Sequence, residues 1–176
     1  MRILAVSGSL RAGSHNTELL RAAAAAAPDD VVVELWDGLA GLPIYDQDLE
    51  ADVPESVRRL RTDWSSADAI LFSTPEYNGS VPGGLKNAID WASRPKGEAP
   101  LLNKTVAVVG ASTGQFGALW AQQDLRRILG IAGARVVEGE LPVPRAHEGF
   151  DEAVLDGLQA QLEALVLAAD AVASAA

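Results

Sequence analysis

The residues best suited to chemistry in this chain lie in a first loop, residues 7–17. This loop follows the apolar run 3–6 and precedes the helix-forming residues 18–23, so it joins a buried strand to a helix N-terminus. Backbone N–H groups and the positive helix end favour an anion such as a phosphate monoester, to which Arg11 can add a bidentate contact. Four other side chains can donate hydrogen bonds: Ser9, Ser14, Asn16 and Thr17. In the alternative interpretation, these residues only cap the helix.

Strands and helices alternate along the chain, and their order predicts how the first loop is positioned. The predicted strands are residues 2–6, 31–36, 68–73, 105–110 and 134–137, and the predicted helices are residues 17–27, 54–66, 83–93, 118–129 and 151–173. Almost wholly apolar strands are typical of a parallel sheet that is covered on both faces. We therefore expect an α/β, flavodoxin-like three-layer sandwich, with a five-stranded parallel sheet in the order 2-1-3-4-5 and helices on both faces.

Composition and charge limit the class of protein. The 176 residues are expected to form a single domain, 1–176, and the net charge of −10 argues against nucleic acid or an anionic membrane as the main partner. The absence of cysteine excludes disulfides, Cys–zinc sites, iron–sulfur clusters and thiol nucleophiles. His15 and His147 have no partner at metal-ligand spacing, and no stretch is typical of a signal peptide or a membrane span. We expect a cytoplasmic protein without a metal site.

A second loop, residues 74–84, follows the third predicted strand. Its centre holds five residues suited to a flat ligand: Pro75, Glu76, Tyr77, Asn78 and Gly79. Glycines let the backbone approach a planar ring system such as a flavin, and the ring of Tyr77 can pack beside it. The alternative is an ordinary turn set by Asn78 and Gly79, with a tyrosine on the surface. The position between a buried strand and a helix favours binding.

A third loop, residues 111–117, follows the fourth predicted strand and is again rich in small residues. Ser112 and its neighbours can line the ribityl chain or the ring edge of a flavin, whereas in the alternative Ser112 or Thr113 caps the next helix. Ligands of open α/β sheets bind beyond the carboxyl ends of the strands, so we expect the three loops to share one edge.

Three patterns that would point to other chemistry are missing. No G-x-G-x-x-G follows a strand, no G-x-x-x-x-G-K-[ST] is present, and no G-x-S-x-G elbow occurs. These absences argue against a Rossmann dinucleotide site, a P-loop NTPase and a hydrolase. The chain has the parts of a mononucleotide cradle and lacks those of a side-chain catalyst.

Three segments of the chain, taken together, resemble the NADPH-dependent FMN reductase family, which includes flavodoxin-like quinone, azo-dye and chromate reductases. The segments are Gly8-Ser9-Leu10-Arg11-x-x-Ser14-x-Asn16, Leu42-Pro43-Ile44-Tyr45-Asp46-x-Asp48 and Pro75-Glu76-Tyr77-Asn78-Gly79-Ser80-x-Pro82-Gly83-x-Leu85-Lys86-Asn87-Ala88-Ile89-Asp90-Trp91. The resemblance spans essentially the whole chain. It is weakest at residues 112–116, where a glycine-richer segment is common in the family.

The resemblance implies that FMN is bound non-covalently, with NADPH or NADH as co-substrate. The phosphate would lie on Ser9, Arg11, Ser14, Asn16 and Thr17. The isoalloxazine would lie against residues 75–79, with Ser112 closing one side. A hydride would pass to flavin N5 and then to the acceptor in a ping-pong cycle, in which the cofactor carries the chemistry and no catalytic side chain is needed.

The resemblance also implies partners. Family members act on small-molecule acceptors and commonly form homodimers or homotetramers with the flavin near the interface. Residues 37–53 and the helix with Trp91 are candidate interface elements here. For Trp91 the alternative is packing of the helix against the sheet.

Other functions stay open at this point. A flavodoxin-like electron carrier would suit the acidic surface, which can dock on basic protein partners. The arginine of the first loop and the Pro-Glu-Tyr-Asn-Gly sequence favour a reductase over a carrier, while a flavin-binding regulator stays possible. Free flavin, quinones, azo compounds and metal oxyanions are all compatible acceptors, and the sequence does not choose between NADPH and NADH.

Overall fold

A parallel sheet forms the centre of the computed structural model, which describes residues 1–174. Its five main strands are β1 (Arg2–Ser7), β2 (Val32–Trp36), β3 (Ala69–Ser73), β4 (Thr105–Ala111) and β5 (Arg135–Val136). They lie in the order β2-β1-β3-β4-β5, and each neighbouring pair is parallel. This is the flavodoxin-like order, so the predicted fold class is confirmed.

Helices cover both faces of the sheet. They are α1 (His15–Ala25), α2 (Glu55–Ser66), α3 (Gly83–Ala92), α4 (Leu119–Ile131) and α5 (Glu152–Ala173). Trp64 of α2, Leu85 of α3 and Leu125 of α4 belong to the core on one face. Leu19 of α1 and Leu162 of α5 belong to the core on the other face. The arrangement is the predicted three-layer sandwich.

The central strand β3 shows why these sequences form strands. Ile70 and Phe72 point into one core, and Ala69 and Leu71 point into the other. Because successive side chains of a strand point to opposite faces, a strand covered on both sides must be apolar throughout. Full burial of each large apolar side chain contributes about 1.5–3 kcal/mol. The continuous apolar runs therefore set the sheet.

Two regions contain structure that the sequence does not predict: the edge of the sheet beside β4, and residues 37–53. The sequence predicts a strand at residues 134–137 and a turn-rich connection at residues 141–149. In the structure this edge of β4 is shared by β5 and by a further short strand, β6 (Pro142–Val143), which pairs with Gly110 and Ala111. Proline is tolerated in β6 because it lies at a sheet edge. The irregular residues 37–53 contain two short 3-10 helices, Gly38–Gly41 and Gln47–Ala51.

Candidate cofactor site

The first, second and third loops meet at the carboxyl edge of the sheet, as the parallel order requires. The N–H of Gly8 donates to the carbonyl of Ser73 at 2.8 Å, and the N–H of Thr74 donates to that of Val109 at 3.0 Å. A Cβ atom on Gly8 would lie 2.9 Å from a methyl group of Leu85, so a larger residue there would displace this side chain of α3.

Hydroxyl groups organise the first loop around the start of α1. Ser14 is the N-cap, and its Oγ accepts a hydrogen bond from the N–H of Thr17 at 3.2 Å. The Thr17 hydroxyl donates to Ser7 Oγ at 2.9 Å, and the N–H of Ser9 donates to the same oxygen at 3.3 Å. The predicted cap is therefore present. It does not compete with an anion site, because the first N–H groups of a helix have no acceptor within the helix.

Arg11 is the one charged donor of the first loop. It is exposed, and none of the ion pairs among residues 1–174 includes it. Its N–H donates to Ser9 Oγ at 3.4 Å, which turns the loop back toward the helix. The guanidinium is thus available to an anion from solution.

Asn16 lies in the first turn of α1 and is 3% exposed. Its amide nitrogen donates to the carbonyl of Ala111 at 2.9 Å, and its Oδ1 accepts from the N–H of Ala111 at 2.9 Å. The Ser73 hydroxyl donates to the same Oδ1 at 2.8 Å. The side chain therefore links α1 to the ends of β3 and β4. This amide thus positions the loops, and the second N–H of its nitrogen stays available for the phosphate contact that the sequence predicts.

The second loop is a tight hairpin. Tyr77 and Ser80 exchange backbone hydrogen bonds at 3.1 and 3.2 Å across the two-residue turn at Asn78 and Gly79. Both turn residues have positive φ, 54° and 77°, which is the requirement of a type I′ turn. The predicted Asn-Gly turn is present, and Tyr77 is 54% exposed. The turn and a binding role are compatible, because this hairpin presents its backbone and the tyrosine ring at the sheet edge.

The second loop is also fastened to the start of α4. The carboxylate of Glu76 accepts hydrogen bonds from the N–H groups of Trp120 at 3.1 Å and Ala121 at 3.2 Å. An acid at this place both satisfies orphan donors and complements the helix dipole. The hydroxyl of Ser80 donates to the carboxylate of Asp124 at 2.7 Å. The hairpin is thus bound to α4 at two points.

The third loop is held against β6. The N–H of Ser112 donates to the carbonyl of Val143 at 3.0 Å, and the carbonyl of Ser112 accepts from Ala146 at 3.0 Å. The Ser112 hydroxyl accepts from the N–H of Gly114 at 3.1 Å, which closes a small turn. Neither Ser112 nor Thr113 caps α4; the N-cap position is Ala118.

Gln122 of α4 is a buried polar residue that the sequence argument missed. Its amide nitrogen donates to the carbonyls of Gly117 at 3.2 Å and Leu141 at 3.1 Å, and its oxygen accepts from the N–H of Leu141 at 3.0 Å. The signal was its place in the sequence, three positions before Leu125 and thus on the apolar stripe of the helix, whereas its neighbour Gln123 lies off that stripe. Such a residue must find partners when it is buried.

The predicted interface elements contact each other within the chain. Trp91 is fully buried, and its indole N–H donates to the carbonyl of Pro43 at 2.9 Å. The ring of Tyr45 packs edge-on against Trp91 with ring centroids 4.9 Å apart. The hydrogen bond to Tyr45, and to a smaller extent the negative charge of Glu50, raise the pKa of Arg94. Trp91 is thus buried within the chain, where it contacts Pro43 and Tyr45 of the 37–53 connection.

Other features of residues 1–174 add no second site. A groove of about 560 Å³ between α3 and α4 is lined by Ile89 and Ile128 and shares no residue with the predicted cofactor contacts. Within this part of the chain, no cluster of acidic and histidine side chains could hold a metal ion. No helix found there is long and apolar enough to cross a membrane.

Comparison with known proteins agrees with the geometry of the three loops. Residues 1–148 match the NADPH-dependent FMN reductase family. An NAD(P)H-dependent FMN reductase of Pseudomonas aeruginosa is 42% identical, and the match covers 95% of this chain and 94% of the relative. A 2-hydroxy-1,4-benzoquinone reductase from Burkholderia is 44% identical over 73% of this chain and 69% of the relative.

A solved structure shares the fold over nearly the full length. FerB, a flavoenzyme NAD(P)H:(acceptor) oxidoreductase from Paracoccus denitrificans, superposes with a TM-score of 0.85 at 36% identity. The similarity covers 96% of this chain and 97% of that one.

Proposed function

Because the chain belongs to the NADPH-dependent FMN reductase family, we propose that it reduces quinones with electrons from NAD(P)H, through FMN held by its three loops. The chain is an FMN-dependent oxidoreductase that uses NAD(P)H. One observation carries the proposed site: exposed Arg11 at the start of α1 and the hairpin with Tyr77 lie at the same sheet edge. Arg11 offers a positive charge to the phosphate of FMN, and the hairpin offers a surface to its ring.

The residues present fit FMN. The anion donors would be the N–H groups that open α1, the guanidinium of Arg11, and the hydroxyls of Ser9 and Ser14. The Thr17 hydroxyl donates to Ser7 Oγ, so it would turn from that oxygen to donate to the phosphate. The ring would lie on residues 75–79, whose hairpin presents its backbone, and Ser112 would border it. Asn16 would hold the loops together and donate its second N–H to the phosphate. Residues 1–176 would work as one FMN-binding domain.

Bound FMN would supply the redox chemistry, namely hydride uptake from NAD(P)H and two-electron reduction of the acceptor. The net reaction is NAD(P)H + H⁺ + quinone → NAD(P)⁺ + hydroquinone. The chain's own residues bind and orient: the first loop neutralises phosphate charge, and the hairpin fixed by Glu76 presents a flat, accessible surface. The proton needed by the hydroquinone can come from water, because the hairpin at this edge of the sheet is exposed to solvent.

Quinones are the acceptors that the relatives favour. The Burkholderia relative is named for 2-hydroxy-1,4-benzoquinone, and a 36% identical Escherichia coli relative is a quinone reductase. These names also favour an enzyme over a flavodoxin-like carrier. We further propose that the protein is cytoplasmic and forms a homodimer or homotetramer. Both NADPH and NADH are proposed as its electron donors.

A direct experiment tests the proposed function. The purified yellow protein is mixed anaerobically with NADPH or NADH, and the flavin absorbance is followed before a quinone is added. We expect rapid bleaching without any other protein, followed by return of the absorbance when the quinone is added. A carrier would bleach only with a separate reductase, and a protein that never takes up FMN would contradict both functions.

A further inference from the structure

The exposed aromatic rings of this chain are concentrated at the candidate cofactor site. The chain has four tryptophans, two tyrosines and three phenylalanines. Only Tyr77, Phe116 and Trp120 among them are exposed, at 54%, 48% and 47%, and the others are buried or half-buried. All three exposed rings lie on the second loop, on the third loop or in the first turn of α4. Exposed apolar surface of this kind marks a binding site.

Trp120 lies directly beside the hairpin that carries Tyr77. Glu76 accepts a hydrogen bond from the N–H of Trp120 at 3.1 Å, and Ser80 donates to the carboxylate of Asp124 at 2.7 Å. Trp120 and Asp124 are four positions apart on α4, so they share one face of the helix. The hairpin therefore runs along the helix face on which Trp120 lies.

Phe116 and Trp120 form a pair of rings at this place. Their centroids are 4.7 Å apart with an angle of 46° between the ring planes. The carbonyl of Phe116 accepts from the N–H of Leu119 at 3.0 Å, which fixes the end of the third loop relative to α4. About half of each ring is open to solvent, so the pair can receive another flat group.

The surroundings of the pair disfavour an anionic ligand, since the charged groups beside it, Glu76 and Asp124, are both acidic. Residues 111–123 contain no Asp, Glu, Lys or Arg. A metal oxyanion or the 2′-phosphate of NADPH would need cationic donors, which this segment lacks. A quinone is planar, uncharged and largely apolar, and such a ring stacks well on tryptophan and phenylalanine.

We propose that Phe116 and Trp120 form a stacking platform for the ring of the quinone acceptor. This inference rests on the proposed function, because it assumes that the second loop holds the flavin ring. A quinone on the platform would lie next to the hairpin and thus beside the group that reduces it. The platform therefore sets preference among acceptors and takes no part in phosphate binding.

Steady-state kinetics of Trp120→Leu, Trp120→Phe and Phe116→Leu test the platform. The acceptors are 1,4-benzoquinone and ferricyanide, which has no ring, and NADPH is the donor. In a ping-pong cycle each kcat/KM reports only on its own half-reaction. For Trp120→Leu and Phe116→Leu we expect kcat/KM for benzoquinone to fall by roughly tenfold, and for Trp120→Phe by about twofold or less. The kcat/KM values for ferricyanide and NADPH should not change.

Exposed Leu167 on α5 supplies the matched control, since Leu167→Ala removes apolar surface far from the loops. This variant should leave kcat/KM for benzoquinone, ferricyanide and NADPH unchanged.

An unaltered kcat/KM for benzoquinone in the Trp120 and Phe116 variants would overturn the platform, as would an equal loss of kcat/KM for ferricyanide. A loss confined to NADPH would assign the rings to the nicotinamide, and a changed elution volume on gel filtration would assign them to an interface between copies. Wild-type protein without quinone turnover would contradict the proposed function and the platform together.

Discussion

The first and second loops leave neighbouring strands, β1 and β3, but they are fixed in different ways. Asn16, 3% exposed, anchors the first loop from inside the protein with bonds of 2.8 to 2.9 Å. Glu76 and Ser80 anchor the second loop from outside, to α4, and both side chains are partly exposed. The proposed phosphate end of the site is thus anchored in the core, whereas the proposed ring end is fastened at the surface.

The difference matters because breaking the two anchors has different costs. A buried donor or acceptor that loses its partner keeps the full cost of desolvation, about 1–3 kcal/mol for each group. A partly exposed group can exchange its partner for water at little cost. We therefore expect the first loop to be held more strongly in its geometry than the hairpin. That division suits a cofactor whose phosphate stays in place while two substrates approach its ring in turn.

Removing the buried anchor is expected to have the greatest effect. Asn16→Ala leaves the backbone of Ala111 and the hydroxyl of Ser73 without partners, so the free energy of unfolding should fall by about 3–4 kcal/mol. Urea denaturation measures this change. Gln122→Ala is the matched control, because it also removes three hydrogen bonds, here all to backbone, and should destabilise similarly.

The two variants separate stability from site geometry. Asn16→Ala should reduce the preference for FMN over riboflavin, which lacks the phosphate, while Gln122→Ala should leave that preference unchanged. If Asn16→Ala had wild-type stability, the buried anchor of the first loop would be no stronger than the surface anchor of the hairpin.

Arg11 tests the phosphate end without disturbing the core. Arg11→Ala should weaken FMN binding by about 2–3 kcal/mol, since a charged hydrogen-bonded contact is lost while the exposed side chain leaves stability unchanged. Fluorescence titration of the apoprotein with FMN gives the dissociation constant. Arg21→Ala, on the exposed side of α1, is the control for net charge. Equal dissociation constants for wild type and Arg11→Ala would rule out Arg11 as a phosphate ligand.

Glu76→Gln probes the surface anchor. The amide still offers one acceptor to the N–H groups of Trp120 and Ala121 but loses the negative charge at the helix start. We expect the free energy of unfolding to fall by about 1 kcal/mol, roughly a quarter to a third of the Asn16 effect. Thermal unfolding measures it, with exposed Glu98→Gln as the charge-matched control. A loss as large as that of Asn16→Ala would show that the hairpin is held as strongly as the first loop.

The contact between Ser80 and Asp124 should contribute least. A double-mutant cycle with Ser80→Ala and Asp124→Asn isolates its coupling energy, which we expect to be about 0.5–1 kcal/mol. Chemical denaturation of the four proteins gives the value. A coupling energy of zero would leave Glu76 as the sole anchor of the hairpin.

The sheet could be predicted because its signal is local. A strand covered on both faces, such as residues 69–73, must be apolar at every position, and the loop after β1 indicates the sheet order. The first residues of α1 were likewise recognisable as a cap and a potential anion site. The pairing of β6 with β4 could not be predicted, since a strand of two residues that contains Pro142 is too short to show an alternation of apolar and polar residues.

The roles of individual polar residues could not be predicted because their partners are distant in sequence. Asn16 lies 95 positions from Ala111 and 57 from Ser73, and Glu76 lies 44 positions from Trp120. In sequence each looks like a free hydrogen-bonding group at a site. Only the fold shows that these groups are already bonded, whereas Arg11 and Tyr77 are exposed.

The comparison of FMN with riboflavin tests most directly whether the first loop is a phosphate site. Apoprotein is titrated with each flavin under the same buffer conditions, free of phosphate. We expect FMN to bind at least about a hundredfold more tightly, because in the proposed site α1 and Arg11 would contact only the phosphate. Equal affinity for the two flavins would contradict the assignment of the first loop as the phosphate anchor.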